Sequence, residues 1–192
     1  HESKGHMIMD IGGGTTDVAV ISLGGIVCAN SVKVAGNKMD KSIIDYMKKA
    51  HNLMIGEYTA EELKVEIGSA LPLEEELVMN VKGRDLASGL PRTVEVHTNE
   101  ITKAIDKELK QIILAIRSVL QETPPELSRD IIDNGIIMSG GSSQLRHFSI
   151  LVERRTGVKA EIAKDAIFCV SKGTGIALTH LDVYKKSILS KR

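Results

Sequence analysis

Apolar residues change their spacing several times along the chain, and the spacing predicts the elements. Residues 7–34 favour a period of two. Residues 7–10 form a short apolar strand that ends in an acid. Gly12-Gly13-Gly14-Thr15-Thr16 is a tight glycine turn, and residues 17–22 are a second strand with Val18 and Val20 alternating. Gly24-Gly25 fits a two-residue hairpin turn, so residues 27–34 are a third strand, antiparallel to the second. The period then lengthens. Asn37 or Asp40 can start a helix to about His51, with Ile43, Ile44 and Met47 on one face. Thr59-Ala60-Glu61-Glu62 reads as a capping box opening a helix through Lys64 and Ile67. Residues 77–81 and 93–97 read as strands around a turn at 83–91. The strongest helix opens at Asn99. Ile101, Ala104, Ile105, Leu109, Ile112, Ile113, Ile116 and Leu120 hold a 3.6-residue period until Pro124-Pro125 stops it. Pro125 suits the first turn of a short helix through Ile132. Residues 135–139 are a strand, Gly140-Gly141 a second glycine turn, and Ser142 or Ser143 opens a helix to Arg155 that Gly157 ends. Residues 158–162 are a strand, and residues 166–181 a helix.

The order is three strands, an inserted α/β region richer in acids, a long helix, then strand, helix, strand, helix. That is an α/β fold. The length of 192 residues suits one domain or two small ones, and 42% hydrophobic residues suffice for a core. Twenty-five basic residues balance 25 acidic ones, which argues against a broad electrostatic grip on nucleic acid. Cys28 and Cys169 lie far apart in apolar runs, without metal-ligand spacing; buried free thiols in a reducing compartment are the expectation. No apolar stretch approaches the roughly 20 residues of a membrane span. Residues 1–6 are polar, without the apolar region of a signal peptide. The first residue is His and a strand follows almost at once, so a piece of a longer protein is expected.

Two glycine turns carry the candidate chemistry. In Asp10-Ile11-Gly12-Gly13-Gly14-Thr15-Thr16-Asp17, residues without a Cβ let backbone amides approach an anion, and the threonine hydroxyls add donors. Asp10, at the strand end, is placed to hold a hydrated divalent cation bridging phosphates. A plain hairpin turn is the alternative, but strand, acid, three glycines, two threonines and a second strand together favour phosphate. A P-loop is excluded, because no Gly-Lys-Ser/Thr is present. Residues 135–143 repeat the strand-then-glycine logic before a helix start, where Ser142 and Ser143 can donate or cap; an ordinary strand-to-helix turn is equally consistent. Glu61-Glu62-Leu63-Lys64, taken alone, is a solvated helix start. The histidines pair with no acid or cysteine at ligand spacing, and no Ser/His/Asp arrangement is readable. Met7, Met9 and Met138 are core filler.

Taken together, these pieces resemble the superfamily of actin, the DnaK chaperones and the sugar kinases. Residues 10–17 resemble its second phosphate motif, residues 135–143 its adenosine motif, and residues 172–178 its second connecting helix. Within it, the chain is most similar to the bacterial actins MreB and Mbl. Leu53-Met54-Ile55-Gly56-Glu57, Glu66-Ile67-Gly68-Ser69-Ala70, Gly89-Leu90-Pro91-Arg92-Thr93 and Thr123-Pro124-Pro125-Glu126-Leu127-Ser128 carry that likeness. The resemblance implies an actin-like ATPase fold of the ribonuclease-H type, here its second domain: a mixed sheet flanked by helices, with an inserted α/β subdomain. Residues 1–34 and 99–185 would form subdomain IIA, residues 35–98 subdomain IIB, and residues 186–192 a tail. Gly12, Gly13, Gly14 and Thr15 would cradle the phosphates of ATP or GTP, and Asp10 would hold Mg²⁺ through water. Glu61, Glu62 and Lys64 would meet the nucleoside, with Gly140, Gly141 and Ser142 lining its other face. The resemblance further implies self-assembly into filaments in the cytoplasm, with the whole protein at the inner membrane beside its morphogenesis proteins.

The departures are specific. The family's first phosphate hairpin, of Asp-Leu-Gly-Thr type, is absent from these residues. So is the acid of its first connecting helix, which positions water. No catalytic residue is therefore assigned within the chain, and it is expected to be inactive alone, the parent being a slow ATPase. Asn37 stands where an acid is common, Ser142 where a third glycine is common, and Glu62 where Arg is common. Half of a sugar kinase or of a chaperone ATPase domain is the alternative; residues 123–128 weigh against the first, and the lack of a following β-sandwich against the second.

Overall fold

The computed structural model describes residues 4–181. The expected tail at 186–192 lies outside them.

Strands β1 (His6–Ile11), β2 (Thr16–Ser22) and β3 (Gly25–Val32) form an antiparallel meander. Its alternation sends Met7, Met9, Ile11, Thr16, Val18 and Val20 to one buried face. The turn between β2 and β3 centres on Leu23 and Gly24, whose φ angles are 51° and 76°, and Ser22 pairs with Gly25. This is one residue earlier than the Gly24-Gly25 turn expected; two consecutive left-handed residues match the strand twist, and Leu23 accepts the first of them.

Helix α1 (Gly36–His51) follows, then the short β4 (Leu53–Met54), α2 (Glu57–Glu66), β5 (Val78–Asp85) and β6 (Pro91–His97). Strands β4, β5 and β6 make a separate three-stranded antiparallel sheet in that order. The hairpin runs further than the sequence suggested, because Asp85 closes a shorter turn: its Oδ1 accepts the amides of Ala87 and Ser88 at 3.0 and 2.8 Å. Helix α2 starts two residues before Thr59, with Gly56 at its N-cap and no side-chain cap, so the expected Thr59–Glu62 capping box does not form. The Gly56 carbonyl accepts the Ala60 amide, which places Thr59 already inside the first turn.

Helix α3 (Thr98–Glu122) is the 25-residue helix that the 3.6-residue period predicts. It buries Ile101, Ile105, Leu109, Ile112, Ile116 and Val119 against β2, β3, α1 and a later helix, α5 (Phe148–Thr156). Glu100 reaches back to accept the His97 amide at 3.1 Å. Helix α4 (Pro125–Asn134) lies beside β1, tied to it where Gly5 donates to Asp130 at 2.7 Å. Strand β7 (Ile136–Ser139) then pairs parallel with β1, and β8 (Ala160–Ile162) parallel with β7, giving a five-stranded sheet of order β3-β2-β1-β7-β8. Buried residues of both sheets belong to one continuous core.

One expectation fails between β7 and the last helix. Residues 142–155 are not one helix: a 3₁₀ turn, Gly141–Gln144, is separated from α5 (Phe148–Thr156) by a left-handed His147 with φ 59°. The Ala70 amide binds the Arg146 carbonyl at 2.8 Å, and a helix through 146 would spend that carbonyl internally. The final helix lies within the expected residues 166–181: a 3₁₀ turn, Ala166–Phe168, runs directly into α6 (Cys169–Thr179), which buries no residue. Cys28 and Cys169 are half-buried rather than fully buried.

Candidate functional site

The hairpin turn between β1 and β2 is held from behind. Gly12 donates to the Thr15 carbonyl at 3.0 Å, which closes the loop. The Gly12 carbonyl accepts the Gly36 amide at 3.2 Å and the Ser142 hydroxyl at 2.8 Å, and the Gly13 carbonyl accepts the Asn37 amide at 2.8 Å. Helix α1 thus has no side-chain cap, because the glycine turn satisfies its first amides; this moves its start to Gly36, ahead of Asn37 or Asp40. A trans peptide points its N–H opposite to its C=O. With the carbonyls of Gly12 and Gly13 engaged by the protein, the amides of Gly13 and Gly14 face the other way.

At this junction two glycines leave no room for a Cβ beside their neighbours as they stand, and at Gly140 the neighbour is backbone. A Cβ on Gly36 would stand 2.6 Å from Ser142 Oγ, and one on Gly140 would stand 2.2 Å from the Ile11 carbonyl, where φ is also +86°. The two glycine turns therefore meet back to back at the ends of β1 and β7. Asp10 and Ser139 are register partners there, and the Ser139 hydroxyl donates to Asp10 Oδ1 at 2.6 Å.

In front of this junction lies a cavity of about 430 Å³, lined by Gly12, Gly13, Gly36, Asn37, Met39, Asp40, Glu61, Lys64, Val65, Gly141, Ser142, Gln144, Leu145 and Ile167. It brings together Gly12, Gly13, Glu61, Lys64, Gly141 and Ser142 of the residues singled out by sequence. Gly14 and Thr15 are exposed at the tip of the turn, where Thr15 donates to Asp17 at 2.9 Å. Gly140 lies behind the wall, Asp10 at the strand end beside it, and Glu62 on the exposed flank of α2; none of these lines the cavity.

Asn37 and Asp40, the two helix starts that the sequence offers, both line the cavity, and Asp40 is the one with a charged partner there. Its carboxylate meets Lys64 Nζ at 2.7 Å, with side chains 13% and 11% exposed, and Lys64 also donates to the Gly36 carbonyl at 3.4 Å. Burial pushes the Asp40 carboxyl above its usual value. Lys64 pulls it down by hydrogen bond and charge, while Glu61 and Glu57 push it up again; the net direction is upward. The signal was present in the sequence: Asp40 sits beside Met39 and three residues before Ile43, on the buried stripe of α1, where an unpaired acid is costly. Among the described residues, no group of three or more His, Cys, Asp or Glu side chains is placed to hold a metal, so Asp10 would act as a lone carboxylate.

A mixed five-stranded sheet with this strand order, flanked by helices and bearing two glycine turns at one end, defines an actin-like ATPase fold of the ribonuclease-H type. The model of the MreB/Mbl protein family matches residues 1–186, and the chain belongs to that family. It is 43% identical to the cell shape-determining protein Mbl of Bacillus cereus over 98% of this chain and 56% of that one. It is 42% identical to the cell shape-determining protein MreB of Escherichia coli over 99% of this chain and 55% of that one. The crystal structure of MreB5 of Spiroplasma citri bound to AMPPNP superimposes with a TM-score of 0.90 at 38% identity, over 98% of this chain and 56% of that one. The MamK double helical filament gives 0.70 at 24% identity, which shows the fold alone. The chain spans about half the length of the relatives it matches. The sugar-kinase and chaperone alternatives gain no support. Among the described residues, no helix is long and apolar enough to cross a membrane.

Proposed function

We propose that this chain is the second half of an ATP-binding, filament-forming bacterial actin that acts in cell-shape determination, and that it supplies one wall of the nucleotide cleft. The observation that carries the reading is the cavity between the braced glycine turn and the Glu61–Lys64 face of α2. The turn Gly12 to Thr15 takes the phosphates of ATP, or of GTP, through the outward amides of Gly13 and Gly14, with the Thr15 hydroxyl joining them once it turns from Asp17. Glu61 and Lys64 contact the nucleoside from one side, with Glu62 at the rim; Gly141 and Ser142, backed by Gly140, contact it from the other. Mg²⁺ supplies charge neutralisation on the phosphates. Asp10 suits it: the carboxylate is oriented by the Ser139 hydroxyl, and Mg²⁺ binds through few carboxylates and several waters. Residues 1–34 and 99–185 act as subdomain IIA and residues 35–98 as IIB. The whole protein assembles with copies of itself in the cytoplasm, against the inner membrane and its morphogenesis proteins.

One wall is not a catalytic site. Phosphoryl transfer depends on positioning and charge stabilisation from several directions in a site closed to water. Contacts on one side of the phosphates, open to solvent, are weakened by the high dielectric. The chain alone therefore binds ATP-Mg²⁺ with Kd of about 0.1–1 mM (about −5.5 to −4 kcal/mol) and does not turn it over. Calorimetric titration and phosphate release on the chain test this; micromolar affinity with turnover would show that the cleft is complete within these residues. Nucleotide-dependent pelleting of the full-length protein tests the filament reading. Asp10→Ala abolishes turnover there, and sugar-dependent ADP release in its place would overturn the reading.

A further inference from the structure

A second depression of about 540 Å³ runs along α3 and shares no residue with the nucleotide cavity. One face of α3, from Thr102 to Arg117, forms its length; Leu151 and Arg155 of α5 and the segment Ala70-Leu71-Pro72 form its walls. At 1.5 Å per residue, that length is about 22 Å, or four helical turns. The floor is apolar, made by Ala70, Leu109, Ile113 and Leu151, all buried, and Leu114 stands 64% exposed at the lip. The rim is basic. Lys103, Lys110 and Arg117 follow one another at seven-residue steps, and Arg155 faces them. The single acid, Asp106, is taken by Lys110 at 2.5 Å. Among the described residues, Lys103, Arg117 and Arg155 have no carboxylate partner. The chain as a whole is neutral, so this concentration of unpaired positive charge around an apolar floor is local.

We propose that the α3 groove is a docking site for an acidic amphipathic helix of a partner protein. Apolar side chains at i, i+4, i+7 and i+11 of that helix would cover the floor between Leu109 and Leu114, and carboxylates flanking them would meet Lys103, Arg117 and Arg155. The spacing of the charges favours a helix over a lipid. Seven residues of α3 separate successive rim cations by about 10 Å, so one headgroup meets one cation, whereas a helix carrying acids at the same seven-residue step meets them all.

The test uses a fluorescent peptide of about 18 residues, some 27 Å as a helix, with Leu at those four spacings and Glu on both flanks. A scrambled peptide of the same composition is the control, and anisotropy is read against the 192-residue chain. The expected result is saturable binding at least about 10-fold tighter than the scrambled peptide, weakened by salt. It is lost in K103E/R117E/R155E and in the single exposed-lip variant Leu114→Glu, while the circular dichroism and thermal midpoint of both stay unchanged. Equal binding of the two peptides would overturn the proposal. So would binding that survives both variants. Displacement of the peptide by phosphatidylglycerol vesicles but not by phosphatidylcholine vesicles would assign the groove to lipid instead. A self-association of the chain that Leu114→Glu abolishes would assign it to a second copy.

Discussion

Replacing Lys64 destabilises the chain more than replacing its partner Asp40, and it makes stability depend on pH in a stated direction. The pair is 2.7 Å apart and nearly nine-tenths covered on both sides. Lys64→Met leaves a covered carboxylate facing Glu61 and Glu57 with no cation. Removing one partner of a buried pair costs about 3–5 kcal/mol, and the open cavity beside Asp40 argues for about 3. At about 2–4 °C per kcal/mol for a chain of this size, the midpoint falls by about 6–12 °C. Asp40→Asn is milder, about 1 kcal/mol, because the Lys64 stem can carry its ammonium to the cavity mouth. The Asp40 carboxyl already sits above its ordinary 3.8, and loss of Lys64 raises it further. A carboxyl raised in the folded state binds its proton more tightly there than in the unfolded chain. Its cost is full above the folded value and is relieved as pH falls through that value toward 3.8. Urea unfolding of wild type, both single variants and the double variant between pH 7 and pH 4.5 reads this out. The gap between Lys64→Met and wild type narrows as pH falls, and the double variant is more stable than Lys64→Met. A gap that stays constant or widens, or a larger cost for Asp40→Asn, would refute the reasoning.

Three further outcomes are expected. Gly140→Ala costs about 3 kcal/mol in urea unfolding, from a left-handed φ and a 2.2 Å approach to the Ile11 carbonyl, whereas Gly141→Ala, whose Cβ meets nothing within 4 Å, costs less than about 1. Burial pushes the Glu100 carboxyl up, but the bonds it accepts from the His97 amide, His51 and Tyr46, with the charge of His51, together outweigh that and hold it below the ordinary 4.5. It therefore contributes stability that is full above 4.5 and is lost as pH falls through the depressed value, so Glu100→Gln is less stable than wild type at pH 7 and the difference shrinks as pH falls below 4.5. Glu108 is buried on α3 with Oε2 unpartnered among the described residues, and Glu108→Met raises stability by about 1 kcal/mol, seen as a higher thermal midpoint at unchanged helicity.

What was legible in the sequence was set by neighbours along the chain. The glycine turn after Asp10 and the apolar stripe from Ile101 to Ile116 need only local spacing, and both appear where the pattern put them; at the stripe's end Val119 is buried and the expected Leu120 only partly so. The misses are set by residues far away. Helix α1 starts at Gly36 because carbonyls 24 residues earlier bind its first amides, and no capping side chain announces that. The helix after Gly141 breaks because Arg146 gives its carbonyl to Ala70. Asp40 belongs to the cavity because Lys64, 24 residues on, returns to it from α2 after the chain has passed through β4.

The last helix shows the limit of pattern reading from the other side. Cys169–Thr179 folds as a helix, as its spacing requires, yet Val170, Ile176 and Leu178 are each more than half exposed and α6 buries nothing. Its neighbours Phe168 and Ile167 are equally open, and Ile167 lines the cavity beside the glycine turn. Apolar periodicity measures a demand for cover, since each such side chain gains by leaving water. It carries no information about which surface meets the demand. For α3 that surface is the sheet of the same chain, and the demand is met. For α6 the same demand stands open among the described residues. Helix formation and burial are separate conclusions, and only the first can be drawn from spacing.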